Sequence, residues 1–190
     1  MPAVTKNLRD GQITISDGDT PANSVAIAVD DGNLKFIIQQ RPAIAVQDRG
    51  EHSHLRQGSA QVLDGSFSVK FKEFLSQGAN GVSPYEALLM VGAAAAWETT
   101  NADGGDVETL DLIFDIVSPT SGEQDERVTI ADIFDRKVEF SEGDDANVLA
   151  CSFKYYDSNI TIAKVAAATT TAAATTEAET TEAATTTPGA

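Results

Sequence analysis

The sequence predicts a mainly β protein: a β-sandwich or partly closed barrel flanked by one α-helix, with a flexible C-terminal tail. Three observations carry this. Short runs of alternating apolar and polar residues, separated by Gly-, Asp- and Pro-rich turns, fill most of residues 12–165. One segment in the middle reads as a helix. From residue 166 the composition collapses to Ala, Thr, Glu, Pro and Gly, with no aromatic or large aliphatic side chain, so that segment cannot bury enough surface to offset the entropy of ordering. The expected division is a domain at 1–165 and a tail at 166–190.

Taken in order, residues 12–16 (QITIS) and 25–29 (VAIAV) are short strands separated by the turn-rich SDGDTPANS. Asp30-Asp31-Gly32-Asn33 supplies a hairpin turn, and residues 34–40 (LKFIIQQ) the returning strand. Residues 41–59 mix charge, both histidines and a small apolar patch, Ile44 and Val46. They are long for a connection, where about 4–6 residues is usual, and so read as functional, disordered, or an arm folded against something else. Residues 66–73 (SFSVKFKE) alternate cleanly, with Phe67, Val69 and Phe71 on one face, and QGANG ends that strand.

The helix is expected over residues 83–97 (SPYEALLMVGAAAAW). Ser83 suits the N-cap, Pro84 the first turn, and Glu86 completes a capping box. Tyr85, Leu88, Leu89, Gly92 and Ala96 form one stripe, while Met90, Val91, Ala94 and Trp97 fill the opposite side. A helix apolar all round needs covering on two sides. Leu88 and Leu89 are therefore expected on the chain's own sheet, and Met90 and Trp97 against a second element or subunit. The apolar stretch is too short for a membrane, which takes about 20 residues.

After a turn at 101–106, residues 109–117 (TLDLIFDIV) alternate again, with Leu110, Leu112, Phe114 and Ile116 inward and Asp111 and Asp115 outward. Residues 127–140 hold one or two strands with a kink near Asp132. Residues 141–147 (SEGDDAN) form a hairpin-like loop, and 148–156 and 159–165 are the last strands.

The net charge of −16 argues against a protein that grips phosphate. The tail holds three acids and no bases, so −13 belongs to residues 1–165. The single Cys151 excludes an internal disulfide framework, and the N-terminus MPAVTKNLRD has no apolar leader-like run, which together suggest folding in a reducing cytoplasm. His52 and His54 would share a face of a strand and could offer two metal ligands, yet no third ligand lies nearby, and no metal site or cofactor is expected. No G-x-S-x-G elbow or phosphate-binding Gly loop occurs, so no catalytic residues are assigned and the chain is not expected to be an enzyme. SDGD, DGGD and EGDD lack EF-hand spacing and read as turns.

The order of elements is strands, a long arm, a strong strand, a helix opening SPYEALL, TLDLIFDIV, and the hairpin region VEFSEGDDANVLACSFKYYD. This order resembles the major tail tube proteins of long-tailed bacteriophages, a family related in fold to the tube proteins of contractile tails and of the type VI secretion system. The resemblance spans roughly residues 12–164. It implies a virion protein, made in the bacterial host, that forms stacked hexameric rings through which DNA is ejected without specific binding or any membrane role. It also implies partners among other tail proteins: tape measure, tail terminator and tail tip. Under this resemblance Ile44, Val46, His52 and His54 belong to an inter-subunit arm. Leu88, Leu89, Met90 and Trp97 serve helix packing and interface, and Asp111, Asp115, Asp132 and Asp135 are candidate lumen acids. The alternative is a virion or cell-surface adhesion or decoration module, a β-sandwich on a Thr-rich stalk.

Overall fold

The computed structural model describes residues 11–27, 34–70, 81–101, 105–116, 125–141 and 148–165. The expected turns at 30–33 and 77–80, the hairpin tip at 142–147 and the tail lie outside these residues. The fold is mainly β with one α-helix, and its sheets are not closed into a barrel. The strands are β1 (Gly11–Ser16), β2 (Ser24–Ile27), β3 (Ala43–Asp48), β4 (Glu51–Gln57), β5 (Val62–Lys70), β6 (Leu110–Ile116), β7 (Asp125–Ser141), β8 (Val148–Tyr156) and β9 (Ile160–Val165). The main sheet runs β2-β1-β6-β7-β8-β5 with β9 also on β7, and β3-β4 form a separate two-stranded sheet. All described pairings between strands are antiparallel.

The 17-residue β7 is the spine. Its first half pairs with β6 on one side and β9 on the other; its second half pairs with β8, which carries β5. The expected kink is a double one: Asp132 (φ 55°) and Asp135 (φ 50°) both sit in the left-handed region, and the pairings with β6 and β8 shift register there. Opposite the kink, a 3-10 turn at Asp157–Asn159 separates β8 from β9. One strand and one interrupted partner thus join two half-sheets.

Alternation decides what each half buries. In β6, Leu110, Leu112, Phe114 and Ile116 are buried and the residues between them are not. In β8, Leu149, Cys151, Phe153 and Tyr155 point inward. With Ile13, Ile15, Phe67, Ile130 and Ile133 they make one core, to which α1 (Pro84–Leu89) adds Ala87 and Leu88. Gly65 faces Phe153 across β5 and β8; a Cβ there would come within 2.4 Å of the ring, so this strand position must stay bare.

The helix is shorter than its sequence pattern. The capping box of Ser83 and Glu86 forms, but α1 ends at Leu89 because Met90 adopts φ 52°. The Met90 amide donates to the Ala87 carbonyl and the Val91 amide to the Glu86 carbonyl, the two bonds of a Schellman termination. A 3-10 turn, Gly92–Ala94, follows. Gly92 has φ 58°, and a Cβ there would lie 2.3 Å from Oε1 of Glu86, the atom that accepts from the Ala93 amide at 3.3 Å. Glu86 therefore caps both turns, and bonds from Ser83 above all hold its carboxyl below its usual range.

The expected strand at 34–40 is largely replaced. Only Lys35 bridges to Ser66; beyond it, the buried Tyr155 hydroxyl accepts from the Ile37 amide at 2.8 Å and donates to the Ile37 carbonyl at 2.9 Å. One phenol thus does the work of a strand partner. Removing it in Tyr155→Phe leaves both Ile37 groups without it, and we expect a loss of about 1–3 kcal/mol. Urea unfolding and faster hydrogen exchange at Ile37 measure this.

At the bend, Asp132 Oδ1 accepts from Thr100 at 2.8 Å and Thr109 at 3.4 Å, and Oδ2 from Asn159 at 3.1 Å. Asp132→Ala loses these bonds and places a Cβ residue without Asp's local polar compensation at φ 55°, so we expect a cost of about 2–4 kcal/mol. Asp132→Gly loses the same bonds but not the backbone compatibility. It is expected to be the milder variant by about 1 kcal/mol in the same unfolding assay, the reverse of the usual order in a strand.

Candidate functional site

The segment expected to be an arm, residues 41–59, is a β-hairpin rather than an irregular loop. Its turn is Arg49-Gly50, with φ of 52° and 88°, the two positive values that a tight primed turn requires. The Gly58 amide closes its base on the Pro42 carbonyl at 2.8 Å. Apart from the partly buried Val46, every residue of both strands is exposed. Ile44 is 54% exposed and Leu55 64%, on opposite faces, because Ile44 pairs with Arg56 and Leu55 with Ala45.

The two histidines do not share a face. Val46 pairs with His54 but Gln47 with His52, leaving Ser53 as a bulge that breaks the two-residue alternation. His54 therefore lies on the Ile44 and Val46 face and His52 on the other. Ser53 Oγ lies 3.1 Å from His54 Nδ1. Among the described residues no group of three His, Cys, Asp or Glu side chains is placed to hold a metal. Burial pushes the Cys151 thiol up to about 12, which leaves it protonated and poorly nucleophilic.

The helix residues divide differently from the expected stripes. Leu88 is fully buried and Trp97 is buried in the same core, whereas Leu89 is 38% exposed and Met90 partly buried. The early helix end causes this: past Met90 the chain no longer follows the helical repeat, so Trp97 returns to the core. Tyr85 meets Phe140 edge-on at 5.6 Å, which seats α1 against β7. Leu89, Val91 and Phe140 remain exposed at that end.

The four acids of β6 and β7 are each locally engaged. Asp115 faces Arg127 across the strands and takes two bonds, from Nε at 2.6 Å and Nη2 at 2.9 Å, which raise the Arg127 pKa. Asp135 pairs with Lys154. Asp132 is the hub described above, and its amide donates to Asp111 Oδ1 at 3.0 Å. Sequence reasoning missed a fifth acid, Asp17, which is buried. Its oxygens accept from the Asn23 amide and side chain at 2.7 and 2.8 Å and from the Glu98 amide at 3.3 Å, tying the β1–β2 loop to the chain after the helix. The only sequence cue is an Asp directly after a strand, where it can accept from its own turn.

Asp111 yields a pH prediction. Burial raises its pKa, the Asp132 amide opposes that, and the Asp132 charge adds to it. A raised carboxyl pKa means that the folded state binds the proton more tightly. Its contribution favours folding below the unfolded pKa and is lost as pH rises through the folded pKa. Asp111→Asn keeps an acceptor for the Asp132 amide without the charge. It should be more stable than the parent at pH 7, with the gap closing as pH falls through the carboxylate range; urea unfolding across that range measures this.

Among the described residues no helix is long and apolar enough to cross a membrane. No family profile and no curated protein sequence matches the chain. Among solved structures, the chain is similar to the anti-feeding prophage cap, the tube-terminating cap, determined by cryo-EM. The identity is 12% and the TM-score 0.47, over 87% of this chain and 93% of that one.

Proposed function

We propose that this protein is a structural subunit of a phage-type tail, self-assembling into stacked hexameric rings that form a tube for DNA ejection. The observation that carries this reading is the hairpin. A lone two-stranded hairpin is marginal in water, and this one exposes Ile44 and Leu55 instead of laying them on its own body. Such an element is suited to a neighbour. The main sheet offers the complementary feature: among the described residues nothing pairs with the outer edge of β2 or of β9, and β9 exposes Ile162. Edges left open in this way can pair between copies head to tail, the arrangement that closes into rings.

In this reading the hairpin crosses to an adjacent ring through Ile44, Val46 and the histidines. The exposed helix end meets a neighbour in the ring, and the β6–β7 acids line the bore. The acidity suits a duct, since a protein that grips DNA needs clustered cations. Other tail proteins cap and fill the tube.

Deleting residues 43–56 tests the reading. We expect a body that melts within a few degrees of the parent but stays monomeric by sedimentation and negative-stain microscopy, while the parent forms rings or tubes. Tubes from the deletion variant, or a parent that stays monomeric at every concentration, would defeat it.

A further inference from the structure

The outer edges of β3, on the hairpin, and of β9, on the main sheet, are both open: each strand is 6 residues long, and among the described residues nothing pairs with either edge. Their side chains correspond in chain direction. Ile44, Val46 and Asp48 share one face of β3, and Ile160, Ile162 and Lys164 share one face of β9. Ile160 and Ile162 pair with Ile130 and Val128, which are buried, yet Ile162 is 60% exposed, so the core side of the sheet ends uncovered. Among the described residues neither Asp48 nor Lys164 is in an ion pair.

Main-chain alternation fixes which groups each edge offers. The Pro42 carbonyl accepts from Gly58, so the main chain of Ile44 and Val46 turns toward β4, and that of Ala43, Ala45 and Gln47 turns outward. In the main sheet the Asp17 amide donates to the Asn23 carbonyl, which turns the main chain of Thr14 and Ser16 toward β6. The registers carry that alternation across the sheet. Leu112 and Phe114 turn toward β7, Arg127 and Thr129 toward β9, and the main chain of Ile160, Ile162 and Lys164 turns outward. An antiparallel ladder sets outward-turned residues opposite each other, which would put Ile160 and Ile162 against Ala43, Ala45 or Gln47. A parallel ladder staggers them. It brings Ile44 beside Ile160, Val46 beside Ile162 and Asp48 beside Lys164.

We propose that β3 of one copy adds in parallel to the β9 edge of a second copy. The Ala45 amide donates to the Ile160 carbonyl and the Ile162 amide to the Ala45 carbonyl, two apolar pairs extend the buried side, and Asp48 meets Lys164 at the end. The opposite face places Ala45 and Gln47 beside Thr161 and Ala163, with no charge to oppose. β4 fits this edge less well, since Leu55 is its one large aliphatic residue and the bulge at Ser53 interrupts it. The proposal rests on the self-assembly reading and names its contact, which joins unlike surfaces head to tail. Main-chain bonds supply adhesion, and the charge pair fixes register.

Cysteine pairs in the full chain test it. Under mild oxidation Ile44→Cys with Ile160→Cys, and separately Asp48→Cys with Lys164→Cys, should form covalent multimers on non-reducing gels. The single-cysteine variants should not, nor should Ile44→Cys with Lys164→Cys, which lies out of register in a parallel ladder. Asp48→Lys and Lys164→Asp should each weaken assembly about fivefold by sedimentation, and the double variant should recover most of that loss. Thermal melting of each variant reports folding. Equal cross-linking in all pairs, none between chains, or a charge-swapped double variant no better than either single would overturn the contact, while parental rings leave the self-assembly reading standing. A parent that never assembles would remove that reading and the contact with it.

Discussion

The constraint on which the rest of the structure depends is the double kink in β7. Two residues at positive φ cost backbone energy that only surrounding bonds can offset, and Asp is one of the few residue types that visits this region readily. At Asp132 the offset is visible: threonines from the chain before β6, Asn159 from the opposite turn, and the Asp111 carboxylate on the neighbouring strand all converge there. The kink re-aims the second half of β7 toward β8 instead of β6, so two half-sheets can share a core without closing into a barrel. It also sets where β8 must break and resume as β9.

Much of this was legible where a local period governs. The inward face of β6 follows from simple alternation, as do the extents of β8 and β9 and the kink near Asp132. The sequence misled where a tertiary partner replaced a local rule. The Ala-rich run after Leu89 favours helix by propensity, yet Met90 takes a C-terminal position usually held by Gly, and no residue type advertises that. Residues 34–40 read as a strand, yet past Lys35 a phenol from β8 takes the place of a strand partner at Ile37. The hairpin was hidden by its turn, since Arg-Gly lacks the Asn-Gly or Asp-Gly signal, and the bulge at Ser53 separated two histidines that spacing alone had put together.

The candidate site was legible in outline only. The length and the apolar pair of residues 41–59 marked an element that lies on something else, but that it is a hairpin exposing both faces emerges only once the strands fix its register. The acids show the opposite lesson. Counting carboxylates on a strand face suggested an open negative surface. In the fold Asp115 and Asp135 are paired with Arg127 and Lys154, and Asp111 and Asp132 serve the bend. Exposed ion pairs such as these contribute about 0–1 kcal/mol to stability. Their larger effect is to temper the field that this face presents.

A hairpin that stands off its domain must be ordered enough to bind and weakly enough held to adapt. Its root meets the first need: the Gly58–Pro42 bond closes the base, and Gln39 Nε2 donates to Gln61 Oε1 at 2.7 Å beside it. Beside the same root, Arg41 Nε lies 3.6 Å from the buried Asp157 carboxylate. Ordering costs about 1–2 kcal/mol per residue of backbone, so a hairpin already closed at its base and turned by Arg49-Gly50 loses far less on docking than a disordered arm of equal length. In the proposed assembly, preorganisation of this kind would let a small apolar contact, such as Ile44 or Leu55 against a neighbour, yield usable affinity. The turn Asp157–Asn159 beside this root also supplies Asn159 to Asp132, so the bend that builds the body and the base of the hairpin share one short turn.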